Sequence, residues 1–144
     1  MSSILLDLHV AYHALDRLLQ RKLGAIGVSM SEALVLRILV LNPRVTVAAL
    51  RQSTGLAPST VSSLIQRLSE RGLVRRRRLV SDRRYRVVIP TSVGRGVALI
   101  VDAALAELHR QIRDLPNASV WPDITELASA LTTLERPGPW SRLD

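Results

Sequence analysis

Residues 55–72 read GLAPSTVSSLIQRLSERG, and this stretch decides the fold class of the chain. Glycine stands at each end of it. Pro58 suits the first turn of a helix, because the N–H that proline lacks has no helical partner there. The apolar residues that follow have the i, i+3, i+4, i+7 spacing of a helix with one buried face. The stretch therefore predicts a glycine turn and then an amphipathic helix, residues 58–71, buried through Val61, Leu64, Ile65 and Leu68.

Two further helices are predicted on the amino-terminal side of this turn. Ser29 and Glu32 have the S-x-x-E spacing of a capping box, which predicts a mostly apolar and buried helix from Met30 to Leu41. Asn42-Pro43 ends it, and Thr46 is expected to cap a short helix that runs to about Ser53. Two helices joined by a short glycine turn are typical of a helix-turn-helix unit.

A basic hairpin is predicted directly after the amphipathic helix. Residues 73–80 and 84–89 are rich in β-branched residues, and residues 81–83 have turn character. Seven of the twelve residues from Arg75 to Arg86 are Arg. An Arg-rich wing beside a recognition helix would follow DNA phosphates and place its tip in the minor groove. The alternative is a solvated edge strand whose charges prevent aggregation.

The excess of positive over negative charge lies in the middle third of the chain. The whole chain carries a formal +8, but residues 44–95 hold twelve Arg against two acids, and the other residues hold eight basic and ten acidic side chains. Localised positive charge predicts a polyanionic partner, most commonly nucleic acid. The alternative is a solvated basic face on an ordinary protein.

The side of the predicted recognition helix opposite its apolar residues is polar and mostly small. Short hydroxyl side chains allow a helix to approach base edges closely, Gln66 can pair with adenine, and Arg67 can reach a phosphate or a guanine. The candidate DNA-binding residues are Ser59, Thr60, Ser62, Ser63, Gln66 and Arg67 on the helix, with Arg75, Arg77, Asp82, Arg83, Arg84 and Arg86 on the wing.

Three more helices are predicted outside this core, over residues 3–24, 92–115 and 122–135. The first two carry long apolar stripes that a three-helix core cannot bury alone, so a symmetric partner is expected. Packing of these helices on each other within one chain is the alternative. The predicted fold class is mainly α with a small antiparallel β-hairpin wing, in one domain whose winged helix-turn-helix core spans residues 30–90.

In the order and spacing of its motifs, the chain resembles the MarR family of bacterial transcriptional regulators. The resemblance rests on residues 28–36, 55–62 and 68–74, and on the wing signature D-x-R-x(3)-V-x-L-T-x-x-G. Proline replaces the usual leucine of that signature, and because proline cannot donate to a ladder we expect the last strand residue to be unpaired. Arg86 is a second departure from the family pattern, because it stands at a strand position that is commonly apolar. The signature residues here are Asp82, Arg84, Val88, Pro90, Thr91 and Gly94.

The resemblance implies a homodimeric regulator, usually a repressor, that binds double-stranded DNA at a pseudo-palindromic site. It implies that the first, fifth and sixth helices form the dimer interface, and that Arg84 enters the minor groove. Asp82, two residues before Arg84, is predicted to orient it through a charge-assisted hydrogen bond; the alternative is that Asp82 only starts the turn. The alternatives are a winged-helix module that binds protein or RNA; the basic region holds only one aromatic residue, Tyr85, for base stacking.

Enzymatic and cofactor chemistry has little support in the sequence. Cysteine is absent, three His occur, and neither a G-x-S-x-G nor a P-loop motif is found. His9 and His13, with Tyr12 between them, could contact a small-molecule effector, because the resemblance places this helix beside the effector pocket; two partly exposed helix histidines are the alternative. No metal, cofactor or membrane span is expected, and the amino terminus is unlike a signal peptide, which favours a cytoplasmic protein.

Overall fold

The structure is a computed structural model that describes residues 3–79, 81, 86–116 and 124–134. The chain divides into two compact units after Leu108. The described residues form six α-helices and three strands. These are α1 (Ile4–Leu23), α2 (Met30–Leu41), β1 (Val45–Thr46), α3 (Val47–Thr54), α4 (Pro58–Glu70), β2 (Val74–Arg78), β3 (Arg86–Pro90), α5 (Ser92–Arg113) and α6 (Ile124–Leu134).

The predicted helix starts are confirmed by their caps. Ser29 Oγ accepts from Glu32 N at 3.2 Å, and a carboxylate oxygen of Glu32 accepts from Ser29 N at 3.0 Å, which completes the capping box of α2. Thr46 Oγ1 accepts from Ala49 N at 3.1 Å and caps α3. Each cap satisfies amide groups that have no partner within the helix, so the start of each helix is specified locally.

The helix-turn-helix unit is also formed as the sequence predicts. α3 ends at Gly55, whose φ of +65° is a left-handed conformation that glycine adopts without strain. α4 starts at Pro58 and is followed by Gly72 with φ +70°. The four predicted apolar residues of α4 are all buried, together with Leu36, Leu39 and Leu50 of α2 and α3. α2 is less completely buried than predicted, since Leu34 and Leu41 are 39% and 65% exposed.

The sheet has three strands rather than the predicted two. Its order is β1–β3–β2, with both pairs antiparallel, and Val45 of β1 lies opposite Val88 of β3. A strand of two residues is too short to show an alternating pattern, and its partner lies more than forty residues away along the chain. The wing hairpin of β2 and β3 is therefore anchored to the core through β1.

The prediction that Pro90 is unpaired at the end of the ladder is wrong. Pro90 is buried and lies in β3 opposite Val74. Thr91 N donates to Leu73 O at 3.0 Å one step further along, which marks Val74 and Pro90 as a pair that exchanges no hydrogen bonds. No N–H is needed toward β2 at this position, so proline is tolerated within the strand.

Helix α5 begins against the base of the wing. Thr91 Oγ1 accepts from Gly94 N at 3.0 Å and so caps the helix. The two residues are thereby held beside the backbone of Leu73, which accepts from Thr91. Further along, Asp102 of α5 forms an ion pair with Arg37 of α2, with Oδ1 and Nη1 2.5 Å apart.

The helices were also compared with the length and hydropathy of a membrane span. Among the residues that the structure describes, no single helix is long and apolar enough to cross a membrane. Residues 4–26 and 30–41 are long and apolar enough only when taken together, and the two segments are bent by 74° relative to each other.

Candidate nucleic-acid interface

The six candidate residues of α4 are all exposed. They alternate along the helix with Val61, Leu64, Ile65 and Leu68, which are at most 1% exposed. Because these four side chains hold one side of α4 against the core, the other side presents a continuous polar surface. That surface consists of Ser59, Thr60, Ser62, Ser63, Gln66 and Arg67.

Two of these six side chains make polar contacts within the protein. Gln66 Nε2 donates to Glu70 Oε1 at 2.9 Å, one helical turn further on. Arg67 Nε donates to Glu32 Oε1 at 3.2 Å, across the interface between α4 and α2. The two residues therefore differ: Gln66 is held by its own helix, whereas Arg67 is tied to a buried carboxylate of another helix.

The register of the wing sorts its arginines onto two faces. Arg78 lies directly opposite Arg86, and Arg76 lies opposite Val88. Side chains alternate along a strand, so Arg76, Arg78 and Arg86 share one face, and Arg75 and Arg77 share the other. Like charges directly opposite each other are destabilising, so a negative group bound near Arg78 and Arg86 would stabilise this pair.

A cleft of about 300 Å³ lies where the wing meets the helix-turn-helix unit. Arg76 contributes one wall, and its Nη2 donates to Ser62 O of α4 at 3.3 Å. Among the described residues that line the cleft none is acidic, and the two charged side chains, Arg76 and Arg86, are both positive. It is lined by Thr46, Val47, Ala48, Ser62, Ile65, Arg76 and Arg86.

Arg76 is a residue that the sequence-based selection of wing arginines omitted. That selection included Arg75, Arg77 and Arg86, all of which are exposed, but only Arg86 shares the cleft with Arg76. Arg76 is distinguished from its neighbours by the register in which β2 pairs with β3. Four consecutive arginines in the sequence do not reveal that register.

Three of the predicted wing residues lie outside the described residues. They are Asp82, Arg83 and Arg84, at the predicted turn. The predicted orientation of Arg84 by Asp82 stays a prediction.

The three predicted effector contacts lie together on the exposed amino-terminal half of α1. The rings of His9 and His13 are 4.4 Å apart between centroids, and those of Tyr12 and His13 are 5.3 Å apart, both edge to face. Tyr12 is 53% exposed. Within the described part of the chain, no group of three or more His, Cys, Asp or Glu side chains could hold a metal ion.

Two further residues near α4 were not selected from the sequence. The sequence places Glu32 in a capping box and a family motif, and Arg71 in a family motif at the end of the predicted helix. In the structure Glu32 contacts Arg67, and Arg71 contacts Glu32, with Nη1 of Arg71 3.5 Å from Oε2 of Glu32. These contacts join residues 35 and 39 positions apart, a separation at which no local pattern operates.

The sequence was compared with models of known protein families. A model described as MarR family matches residues 26–84, which include α2, α3, α4 and β2. The resemblance that the motifs predicted is confirmed by this match. No curated protein matches the chain by sequence.

Solved structures share the fold along nearly the whole chain. Bordetella bronchiseptica BpsR, whose DNA binding is regulated by 6-hydroxynicotinic acid, is 18% identical with a TM-score of 0.74, over 95% of this chain and 96% of its own. Apo MarR from E. coli is 19% identical with a TM-score of 0.68, over 94% and 98%. Reduced AbfR bound to DNA is 23% identical with a TM-score of 0.74, over 91% of each chain. The predicted winged-helix fold is thereby confirmed.

Proposed function

Because residues 26–84 match the MarR family and the chain shares the fold of a DNA-bound member of the compared structures, we propose the following function for the protein. The protein is a homodimeric regulator that binds a pseudo-palindromic site in double-stranded DNA. α4 enters the major groove and the wing enters the adjacent minor groove. The observation that carries the proposal is the exposed polar side of α4 beside the arginine face of the wing, with a cleft between them that Arg76 and Arg86 line.

The cleft is the proposed seat of a backbone phosphate. Arg76 is already held against Ser62 of α4, so its guanidinium is oriented before DNA arrives. A phosphate between Arg76 and Arg86 would supply a negative charge that stabilises the Arg78–Arg86 pair. Phosphate contacts of this kind set the orientation of a protein on the duplex without reading sequence. Reading would fall to Ser59, Ser63 and Gln66 on α4.

Exposed apolar side chains support a dimer. In the first unit Leu5 and Leu6 of α1 are 72% and 60% exposed, and Leu99 of α5 is 61% exposed. In the second unit Ile124 of α6 is 67% exposed. Large apolar side chains exposed in each unit favour an interaction site. A second copy of the chain is the proposed partner, because a two-fold dimer presents two recognition helices to two half-sites.

We further propose repression as the mode of regulation, since a dimer on adjacent major grooves would compete with other proteins for the same DNA. BpsR is regulated by 6-hydroxynicotinic acid, which supports a small-molecule effector here too. The exposed cluster of His9, Tyr12 and His13 is the proposed contact for it. Action on chromosomal DNA places the protein in the cytoplasm, and no catalytic role is proposed.

Selection from a pool of randomised duplexes tests the proposal directly. Purified protein should enrich a pseudo-palindrome with half-sites about one helical turn apart, ~10 base pairs from centre to centre. Affinity for the enriched duplex should fall steeply with salt, because arginine–phosphate contacts release counterions. Sedimentation should show a dimer at micromolar concentration. A stable monomer, no enrichment, or a flat salt response would each contradict the proposal.

A further inference from the structure

Glu32 is the one buried charged residue in the described part of the chain, and it holds the recognition helix α4. Its side chain is only 6% exposed. Oε1 accepts from Arg67 Nε at 3.2 Å, and Oε2 accepts from Ser29 N at 3.0 Å and from Arg71 Nη1 at 3.5 Å. A buried carboxylate is costly unless its oxygens are bonded, and here each oxygen has at least one donor.

Arg71 extends this network to the end of α1. Its Nη1 donates to Gly27 O and its Nη2 to Ile26 O, both at 2.9 Å. Those carbonyls belong to the 3-10 turn of residues 24–26 and the glycine that closes it. Arg71 is the residue that ends α4, and Arg67 lies one turn before it. The carboxyl-terminal end of α4 is thus tied both to the start of α2 and to the end of α1.

We propose that Glu32, Arg67 and Arg71, here called the Glu32 triad, are positioning residues for sequence-specific DNA binding. The proposal rests on the DNA-binding function proposed above. Arg67 acts through Glu32 to set the direction of α4, and it does not itself read bases. Of the residues proposed to read bases, Ser59 and Ser63 lie toward the amino-terminal end of the helix and Gln66 lies next to Arg67.

The geometry of α4 makes base reading sensitive to this anchor. Ser59 and Arg67 are eight residues apart, so at 1.5 Å per residue they are separated by about 12 Å along the axis. A change of about 10° in the direction of α4 would therefore displace Ser59 by about 2 Å relative to the Arg67 end. Base hydrogen bonds tolerate only a few tenths of an ångström. Long arginines on a phosphate backbone accommodate such a shift, so discrimination should fall while non-specific affinity is kept.

The Glu32→Gln variant separates positioning from helix capping. Glutamine at this position keeps the capping box, since its amide oxygen can accept from Ser29 N, but it removes the charge that binds two arginines. Glu70→Gln is the matched control: it makes the same chemical change and the same change in net charge on an exposed residue of α4. In Glu70→Gln the side-chain amide oxygen of the new glutamine can still accept from Gln66 Nε2.

Two probes are compared by fluorescence anisotropy: the duplex that the wild-type protein enriches from the randomised pool, and poly(dI-dC). Glu32→Gln should lose about ten-fold or more in the affinity ratio of the two, the scale of one bidentate base contact. Glu70→Gln should keep the wild-type ratio. The proposal is overturned if Glu32→Gln keeps the wild-type ratio, whether its two affinities are unchanged or both fall by the same factor.

Arg71→Lys provides a second variant if Glu32→Gln does not fold. Lysine keeps the charge but lacks the planar fork that spans Glu32 and the two backbone carbonyls. The control is Arg51→Lys, at an exposed arginine of α3. Arg71→Lys should lower the affinity ratio and Arg51→Lys should not; equal ratios would contradict the inference.

Arg67→Ala distinguishes positioning from direct contact with DNA. If Arg67 is a positioning residue, this variant loses discrimination but keeps the wild-type dependence of poly(dI-dC) binding on salt. A slope reduced by about one, the signature of a lost phosphate contact, would refute the assignment. The failure of the function itself is distinct, because the wild-type protein would then enrich no duplex at all.

Discussion

Replacing Gly94 by alanine should drive apart two elements that touch through their backbones. A Cβ at position 94 would lie 1.7 Å from the carbonyl oxygen of Leu73 and 2.6 Å from its carbonyl carbon. A Cβ atom essentially never lies closer than 3.0 Å to such an atom, so the start of α5 and the base of the wing must separate by more than about 1 Å. Both sides of this contact are backbone, so no side-chain rotation can relieve it.

The expected loss of stability follows from the bonds around Leu73 O. That oxygen accepts from Thr91 N at 3.0 Å, and this bond would lengthen with the separation. The single hydroxyl proton of Thr91 is directed mainly to Gly72 O at 2.6 Å, so its 3.2 Å contact with Leu73 O adds little. The Thr91 N bond is worth about 0.5–1.5 kcal/mol net, and the overpacking itself costs about 1–3 kcal/mol. Alanine in a helix returns at most about 1 kcal/mol relative to glycine. The free energy of unfolding should therefore fall by about 1–4 kcal/mol.

Gly96→Ala is the matched control for this measurement. It lies on the same helix, two residues further along, and a Cβ there would meet nothing within 4 Å. This variant should be up to about 1 kcal/mol more stable than the wild-type protein. Urea unfolding followed by circular dichroism measures both, at one protein concentration because the proposed dimer would contribute to stability. If Gly94→Ala is as stable as the wild-type protein, or if both variants lose stability equally, the close backbone contact is refuted.

Four more predictions concern caps and DNA contacts. Ser29→Ala should lower the free energy of unfolding by about 1 kcal/mol through loss of the cap of α2, and an unchanged urea midpoint would count against that role. Gln66→Ala should change the enriched sequence more than it changes poly(dI-dC) affinity, and equal losses would assign this residue to phosphate. Arg76→Ala should reduce the slope of log affinity against log salt by about one; an unaltered slope would exclude the proposed cleft phosphate. Arg84→Ala should lose about 1–3 kcal/mol of DNA binding, and Asp82→Ala should also weaken it; tighter binding by Asp82→Ala at every salt concentration, with unchanged thermal stability, would rule out the orienting role.

The helices of this protein could be predicted from the sequence because their determinants lie within one or two turns. Ser29 and Glu32 are three residues apart and form the predicted capping box. Thr46, Pro58 and Gly72 mark a cap, a helix start and a helix end within one residue of the predictions. The division of α4 into a buried and a polar side follows from the period of the helix, so the spacing of its apolar residues was sufficient to predict it.

The arrangement of the sheet required the tertiary structure. A strand as short as Val45–Thr46 has no pattern of its own, and it forms only because β3 lies beside it. The same holds for Pro90, which is tolerated because its register with Val74 requires no donor. Among four consecutive arginines, only the register separates Arg76, which lines the cleft, from Arg75 and Arg77 on the other face.

The sequence by itself thus determined where helices begin and end, which side of each is apolar, and where positive charge collects. Only the tertiary structure decided which side chains meet across those elements. Glu32 meets Arg67 and Arg71 across 35 and 39 residues, and Gly94 meets Leu73 across 21. Periodicity and capping report interactions between near neighbours along the chain. Contacts between elements depend on how their buried faces pack, and that geometry depends on all of the elements together.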